Sequence, residues 1–421
     1  MLVAGLVACS GDDDAPEPEQ PAVAADVVAG LTRALDRRAT AVQRGDRGAF
    51  DAGLDRSRRG FVTAQHTYLA NLAQLPLARF AYTLDPASLV REGDAYSAVV
   101  NLTMQLEGYD DLPVTMPDRY RFAPAPKHPA RYLLTSVTDR AWESRNNIRP
   151  QPWDDGPIHV LSGSGVLAIF DDTTIDSADG IVSSVERGIA AVAAVVPFAW
   201  SRSVVVYALS DTAFLGAVDD LPGDDPDTID GVAFPVPSKP GGHRMAATRF
   251  ALNPRMLDHP GAERDRLVRH EITHVAVGER DDEVPVWLSE GLAEWVSVRP
   301  LAPQDRLIAE DAVAAAEIGV PGLPADDTFN DADSSAHYAL AWWACEYVAS
   351  TFGESTLWTL LEAMGEPEAD PDEVLLDQLG IDADELARKA ARLIIVTFDP
   401  ESLPSPSESP SRSPSSSPSA G

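Results

Sequence analysis

Apolar and polar residues follow two different periods in the first part of this chain. Residues 26–42 place apolar side chains at helical spacing, and residues 61–75 form a second helical stretch. Residues 96–106 then alternate apolar with polar or small side chains, as a half-buried strand does. Further strands are predicted at residues 78–84, 119–123 and 130–137. Helices followed by an antiparallel sheet predict a small α+β domain over residues 26–149.

The pattern changes again after this first domain. Residues 150–157 contain Pro, Trp and Gly, and are predicted to link two domains. Beyond the link the pattern predicts three strands and one helix, at residues 166–170, 204–209 and 245–252 for the strands and 177–196 for the helix. An acidic loop with Pro and Gly is expected at residues 219–230. A second domain, a sheet with a mostly helical C-terminal part, is therefore expected over residues 158–400.

Length and charge agree with this division and limit the partners. The 421 residues exceed what one hydrophobic core usually organises. The 66 acidic residues outnumber the 33 basic ones, and the net charge of -33 excludes nucleic acid as a partner, because phosphate binding needs a basic surface. The acidic excess is explained either by a solvated surface or by a site for a cationic ligand.

The two ends of the chain are predicted to lie outside the folded domains. Leu6-Val7-Ala8-Cys9 resembles the lipobox of bacterial lipoproteins, although no Lys or Arg precedes it. The resemblance implies that Cys9 is lipidated and that the protein is extracytoplasmic, held at the membrane only by this anchor. A chance apolar N-terminus is the alternative. Residues 1–25 are then a lipoprotein signal and a disordered tether, and residues 403–421 a disordered Ser/Pro tail.

The chemistry-bearing motif is His270-Glu271-Ile272-Thr273-His274. It lies in residues 264–277, which lack Pro and Gly and repeat apolar positions at helical spacing. Residues four apart on a helix point the same way, so both imidazoles can reach one metal ion. Two histidines on a helix surface without a metal are the structural alternative. Catalytic zinc generally takes three protein ligands and keeps one position for water, so a third ligand is expected from another helix.

A second motif downstream contains two glutamates that could supply this third ligand: Trp287-Leu288-Ser289-Glu290-Gly291-Leu292-Ala293-Glu294. The two motifs together resemble the gluzincin zinc peptidases, the clan of thermolysin and the aminopeptidases, in which a helix with a glutamate ligand follows the HExxH helix. The resemblance implies Zn²⁺ bound by His270, His274 and Glu290, with Glu271 as the general base. Glu294 would accept the free N–H of a ligating histidine. An exchange of roles between Glu290 and Glu294 stays open.

The resemblance also implies an oxyanion donor and a site for the substrate backbone. Tyr338 is the first candidate for the donor and His337 the second, since both begin a helical stretch downstream. Residues 245–252 occupy the place of the edge strand that binds extended peptide in the family. Four further histidines are not expected to bind metal: His66, His128, His243 and His259.

The sequence thus predicts a secreted, monomeric zinc metallopeptidase acting on a peptide or protein substrate. Two other functions stay open: a metal-binding lipoprotein without turnover, which acts as a binding module, and a zinc amidase on a non-peptide substrate. The element order of the first domain resembles the nuclear transport factor-like (cystatin-like) fold.

Overall fold

The computed structural model describes residues 25–399, apart from residues 149, 218–220, 222–228, 260 and 303–304. Cys9 with the tether, most of the acidic loop at residues 219–230 and the Ser/Pro tail therefore lie outside the described residues. Within the described residues, no helix is both long enough and apolar enough to cross a membrane.

The first part of the chain consists of three helices, a sheet and two short helices. The helices are α1 (Ala25–Gln43), α2 (Arg47–Asp51) and α3 (Arg59–Leu72). The strands are β1 (Leu77–Leu84), β2 (Val90–Glu92), β3 (Ala95–Leu106), β4 (Val114–Ala125) and β5 (His128–Ser136). Helices α4 (Arg140–Arg145) and α5 (Pro152–Asp155) close this part.

The sheet of the first part is antiparallel and curled around a core. Its order is β1-β3-β4-β5, and β2 pairs with the start of β3. Strand β3 buries every second side chain, which confirms the alternation predicted for residues 96–106. The buried face packs against the apolar stripe of α1, so the first part is the α+β unit that its element order predicts.

The second part begins with a sheet and continues almost entirely as helices. Its strands are β6 (His159–Gly163), β7 (Val166–Phe170), β8 (Val204–Ala208), β9 (Gly231–Pro237) and β10 (Met245–Leu252). Helix α6 (Ala178–Ala193) lies between β7 and β8. The remaining helices are α7 (Pro254–Leu257), α8 (Gly261–Val277), α9 (Val286–Val298), α10 (Glu310–Ile318), α11 (Ser334–Phe352), α12 (Glu354–Met364), α13 (Pro371–Leu379) and α14 (Ala383–Phe398).

The second sheet is mixed and is covered on both faces. Its order is β6-β7-β8-β10-β9, with parallel pairs β7/β8 and β8/β10 and antiparallel pairs at both edges. Alternate residues of β7 and β8 contribute to two different cores, one with the helices and one shared with the first part of the chain. Strands buried on both faces read as continuous apolar runs, which is why β7 and β8 do not alternate.

The edge strand beside the HExxH helix differs from the prediction. Residues 245–252 do form a strand, β10, but it pairs with β8 on one side and β9 on the other. The expectation that residues 245–252 form the edge strand for the substrate is therefore wrong, because β9 pairs with β10 along its length and β8 pairs with it at Phe250 and Ala251. The edge is β9, a strand that the periodicity did not reveal.

The link between the two parts is held by one buried tryptophan. Trp153, in α5, has 0% of its surface exposed. The Asn71 side-chain amide donates hydrogen bonds to the carbonyls of Trp153, at 2.9 Å, and Gly156, at 2.7 Å. A buried ion pair joins the parts elsewhere, since an Arg249 Nη lies 2.7 Å from Asp110 Oδ1. The two parts therefore pack on each other as one body.

Candidate metal centre

Helix α8 brings the two motif histidines to one point. His270 and His274 stand one turn apart, and their Nε2 atoms are 3.3 Å apart. Val268 and Ile272, on the buried side of the same helix, pack into the core that α6 shares, with Ile272 next to Gly188. The packing of this apolar side fixes the rotation of α8 and thus the direction of both imidazoles.

Helix α9 adds a carboxylate to the imidazole pair. Glu290 Oε2 lies 3.1 Å from His270 Nε2 and 3.7 Å from His274 Nε2. One donor atom from each of the three side chains lies within 4.8 Å of the other two. No described residue gives Glu290 Oε2 a well-aligned hydrogen bond, although the atom is buried. This group could hold a metal ion, and its members are the three predicted ligands.

The position of Glu290 depends on the glycine that follows it. A Cβ at Gly291 would lie 2.5 Å from the carbonyl oxygen of Ala341 in α11. Only glycine therefore lets α9 and α11 approach this closely. The glycine in the second motif sets the depth at which α9 packs, and through it the distance from Glu290 to the histidines.

A carboxylate lies behind each histidine. Asp281 Oδ2 is 2.9 Å from His274 Nδ1 and also accepts a hydrogen bond from the Ser289 hydroxyl at 3.0 Å. Glu294 Oε1 is 3.3 Å from His270 Nδ1, which allows an ion pair but not a well-aligned hydrogen bond. Carboxylates in these positions orient an imidazole and raise its basicity as a metal ligand.

The sequence predicted that Glu294 contacts a ligating histidine, but it did not single out Asp281. The contact to His270 places Glu294 where the sequence predicted it, and an Arg266 Nη at 2.6 Å holds its other oxygen. Asp281 was missed. Its only sequence signal is an acidic stretch shortly after Gly278, the residue that follows α8.

The two histidines and the carboxylates around them strongly shift one another's pKa values. Burial lowers the pKa of His270, but the nearby carboxylates of Glu290 and Glu294 outweigh this effect and raise the pKa to about 10. Burial likewise lowers the pKa of His274, and Glu290 and Asp281 raise it well above the usual value. Burial raises the pKa of Glu290, yet the two histidines hold it far below its usual range. The group therefore favours bound positive charge, either protons on the imidazoles or a metal cation.

Glu271 lies beside the candidate metal ligands, against the edge strand. Burial raises its pKa to about 7, partly offset by the charges of His270 and His274. A Cβ at Gly231 would lie 2.9 Å from Glu271 Oε1, so the glycine leaves the space that this carboxylate uses. Such a carboxylate, buried and close to neutral pKa, has the properties of a general base.

These residues surround a cavity of about 430 Å³. Its walls include strand β9, the candidate metal ligands, Glu271, Asp281 and Tyr338. The Tyr338 ring lies 6.3 Å from the His270 ring, and its hydroxyl donates to Asn330 Oδ1 at 3.4 Å. Burial and the charges of Glu290, Glu271 and Glu294 raise the pKa of Tyr338 well above its usual value, so it stays a hydrogen-bond donor.

The structure does not bring His337 to this cavity. Its Nδ1 lies 3.0 Å from the carbonyl oxygen of Phe329, and the residue lines a different cavity next to α10. Of the two candidates for the oxyanion donor, only Tyr338 lies where it could act.

Comparisons with family models, with curated proteins and with solved structures found no match to this chain.

Proposed function

We propose that this chain is a zinc metallopeptidase of the gluzincin type, with Zn²⁺ held by His270, His274 and Glu290. The convergence of these three donor groups is the observation that carries the proposal. Two imidazoles and a carboxylate with one position left for water is a typical donor set of catalytic zinc. The second part of the chain would then be the gluzincin-like catalytic domain. The first would be a nuclear transport factor-like accessory domain.

The distances between donor atoms fit a small divalent metal ion such as zinc. Tetrahedral zinc with ligand bonds of about 2.0–2.1 Å places its ligand atoms roughly 3.3–3.4 Å apart. The separations here are 3.3 Å between the imidazole nitrogens and 3.1 and 3.7 Å from these to Glu290 Oε2. The group is thus already close to the size that zinc requires. Glu290 Oε2, which is buried without a hydrogen-bond partner among the described residues, would gain the metal ion as its partner.

Each of the other residues at the site has a separate role in the proposed amide hydrolysis. Bound zinc would supply a Lewis acid that polarises the scissile carbonyl and lowers the pKa of water toward about 7. The Glu271 carboxylate accepts a proton from the attacking water and delivers it to the leaving amine. The Tyr338 hydroxyl donates a hydrogen bond to the negative charge that develops on the carbonyl oxygen. Asp281 and Glu294 keep the two imidazoles in place.

Strand β9 supplies a surface for an extended substrate. It pairs only with β10 among the described strands, and it lines the cavity next to Glu271. A peptide that adds to this edge as a further strand would pass over Glu271 and the metal ligands. This geometry favours a peptide or unfolded protein segment as the substrate.

The test is the digestion of a mixed peptide library by zinc-loaded protein, with Glu271→Gln as the matched variant. We expect cleavage that a chelator stops and zinc restores. The variant should keep its zinc and lose about 10²–10⁴-fold in rate, the usual contribution of a general base. Zinc-loaded protein that cleaves no peptide would instead favour the binding module, and cleavage of cell-wall amides alone would favour the amidase.

We also propose that the protein is extracytoplasmic, lipidated on Cys9 and otherwise monomeric. Support comes from Leu6-Val7-Ala8-Cys9 and the acidic, Pro-containing segment that follows it. In a bacterial host, the wild type should incorporate labelled fatty acid and Cys9→Ala should not. Equal labelling of both would refute this anchor.

A further inference from the structure

A second cavity lies in the first part of the chain and shares none of its lining residues with the metal centre. It measures about 300 Å³, at the lower end of the range for ligand pockets. Its lining comes mainly from α3, β4, α4 and α5, with Arg38 from α1, so it lies between the helices and the curled sheet. Neither the metal centre nor the proposed hydrolysis uses it.

An arginine stands in the core-facing stripe of α1. Arg38 follows Leu31 and Leu35 at helical spacing, and Val42 comes one turn later. This position normally carries an apolar residue, because it faces the core. Arg38 is only 3% exposed, and it lines the cavity. The fold has therefore placed a permanent cation in the interior.

The guanidinium of Arg38 is held in place but is not fully hydrogen-bonded. Its Nε donates to the Tyr82 hydroxyl at 3.0 Å, and one Nη donates to Gln65 Oε1. The other Nη is buried and has no hydrogen-bond partner in the described part of the chain. The central guanidinium carbon of Arg38, Cζ, lies 4.4 Å from the centre of the Phe50 ring and 5.4 Å from the centre of the Tyr68 ring. Neutral groups thus orient the cation.

No carboxylate in the described ranges lies within ion-pair distance of Arg38. This is unusual, since a buried charge normally has a counter-charge. Contrast Arg249, which is equally buried and is paired with Asp110 at 2.7 Å. Aromatic faces offset only part of the desolvation of a buried cation. The cavity beside Arg38 therefore provides a place for an anion from outside the chain.

The other lining residues indicate which chemical groups such a ligand would carry. Tyr68 and Tyr120 add phenol groups beside Arg38, and Trp153 Nε1 is a buried donor without a partner among the described residues. Apolar side chains, Phe61, Leu102 and Met116, complete the wall. A carboxylate offers acceptors for several of these donors, and an apolar body fits the remaining surface.

The cavity is also lined by four acidic residues and a second arginine, and these charges bear on the conditions of binding: Asp118, Glu143, Asp154, Asp155 and Arg140. Burial raises the pKa of Asp118 to about 7, helped by the charge of Glu143. Burial also raises the pKa of Asp154 to about 7. Asp118 and Asp154 therefore carry less negative charge at pH 6 than above pH 7, and they repel an anion less there.

We propose that this cavity is a second ligand site, which binds a small organic acid through its carboxylate on Arg38 and its apolar body on the surrounding side chains. The protein would then combine a hydrolytic site with a separate site for a small carboxylate.

Calorimetric titration of the full chain at pH 6 tests this with two matched pairs of probes, phenylacetate against phenylacetamide and hexanoate against hexanamide. The members of a pair share a shape and differ in charge. We expect at least one acid to bind about tenfold or more tightly than its amide, because hydrogen bonds to charged groups are the stronger ones. No preference for the acid in either pair would overturn the proposal, and this comparison needs no variant.

Variants then locate the site. Arg38→Met keeps the length of the side chain and removes its charge, and it should abolish the preference for the acid. Arg33→Met, which removes an exposed arginine from the same helix, should leave that preference unchanged. Retention of the preference by a folded Arg38→Met protein, or its loss in Arg33→Met, would contradict the assignment.

Discussion

The close packing of α9 on α11 gives the sharpest structural prediction. Replacement of Gly291 by alanine would place a methyl carbon 2.5 Å from the Ala341 carbonyl oxygen and 3.0 Å from Cys345 Sγ. Ordinary carbon–oxygen contacts begin at about 3.3 Å, so the helices would have to separate by roughly 0.8 Å. A backbone oxygen cannot rotate away as a side chain can, so the helices themselves must move.

The expected cost follows from two opposing effects. Overpacking of a core usually costs about 1–3 kcal/mol. Alanine is favoured over glycine in a helix by up to about 1 kcal/mol, which offsets part of this. We expect a net loss of about 1–2 kcal/mol in the free energy of unfolding. Because Glu290 is the preceding residue, the shift also moves its carboxylate, and zinc affinity should fall about tenfold or more.

Gly180→Ala, in the first turn of α6, is the matched control. A Cβ there would meet only the Arg264 guanidinium, at 3.5 Å, which is an ordinary contact. This variant should gain about 0.5 kcal/mol in stability and keep its zinc affinity. Calorimetric melting and zinc titration against a competing chelator measure both effects. If Gly291→Ala melts above the wild type and binds zinc equally well, the argument from packing is wrong.

Three further predictions concern buried carboxyl groups. Asp281→Asn removes the carboxylate behind His274 and should lower zinc affinity about 10–100-fold in chelator competition, whereas the neighbouring Asp282→Asn should not; equal affinities would exclude this role. Burial raises the pKa of Asp154 from 3.8, its value in the unfolded chain, to about 7 in the folded protein. The protonated carboxyl group therefore contributes stability that is fully present below pH 3.8 and is lost as the pH rises through about 7. Asp154→Asn should therefore be more stable than the wild type at pH 8, on the order of 1 kcal/mol, with the gain vanishing toward pH 4; parallel melting curves at all pH values would contradict this. Asp110→Ala leaves the buried Arg249 without its counter-charge and should cost about 3–5 kcal/mol in thermal unfolding, and a loss below about 1 kcal/mol would show that the pair contributes little.

Local periodicity predicted the elements that bury one regular face. Helix α1 and strand β3 were found within a residue or two of their bounds, since each alternates buried and exposed positions at its own period. Strand β9 was missed because Pro235 and Pro237 interrupt it. Proline is tolerated there only because β9 is an edge strand, and edge position is a property of the sheet that no local pattern contains.

The candidate metal ligands were predictable for two different reasons. The two histidines lie on one helical turn, so local spacing was enough to bring them together, whereas Glu290 was predicted from the resemblance of its motif to the gluzincin pattern. Asp281 was not predictable, because it is one of several acidic residues in a row and only the fold selects it. The choice between His337 and Tyr338 also depended on the fold, since adjacent helical residues point about 100° apart.

Zinc K-edge X-ray absorption on the purified, zinc-loaded protein tests whether His270, His274 and Glu290 bind the metal. We expect one zinc per chain with two imidazole ligands and oxygen at about 2.0–2.2 Å. Glu290→Ala should weaken zinc binding strongly, while Glu271→Gln should leave the spectrum almost unchanged. A protein that binds no zinc, or whose zinc carries fewer than two imidazoles, would refute this assignment.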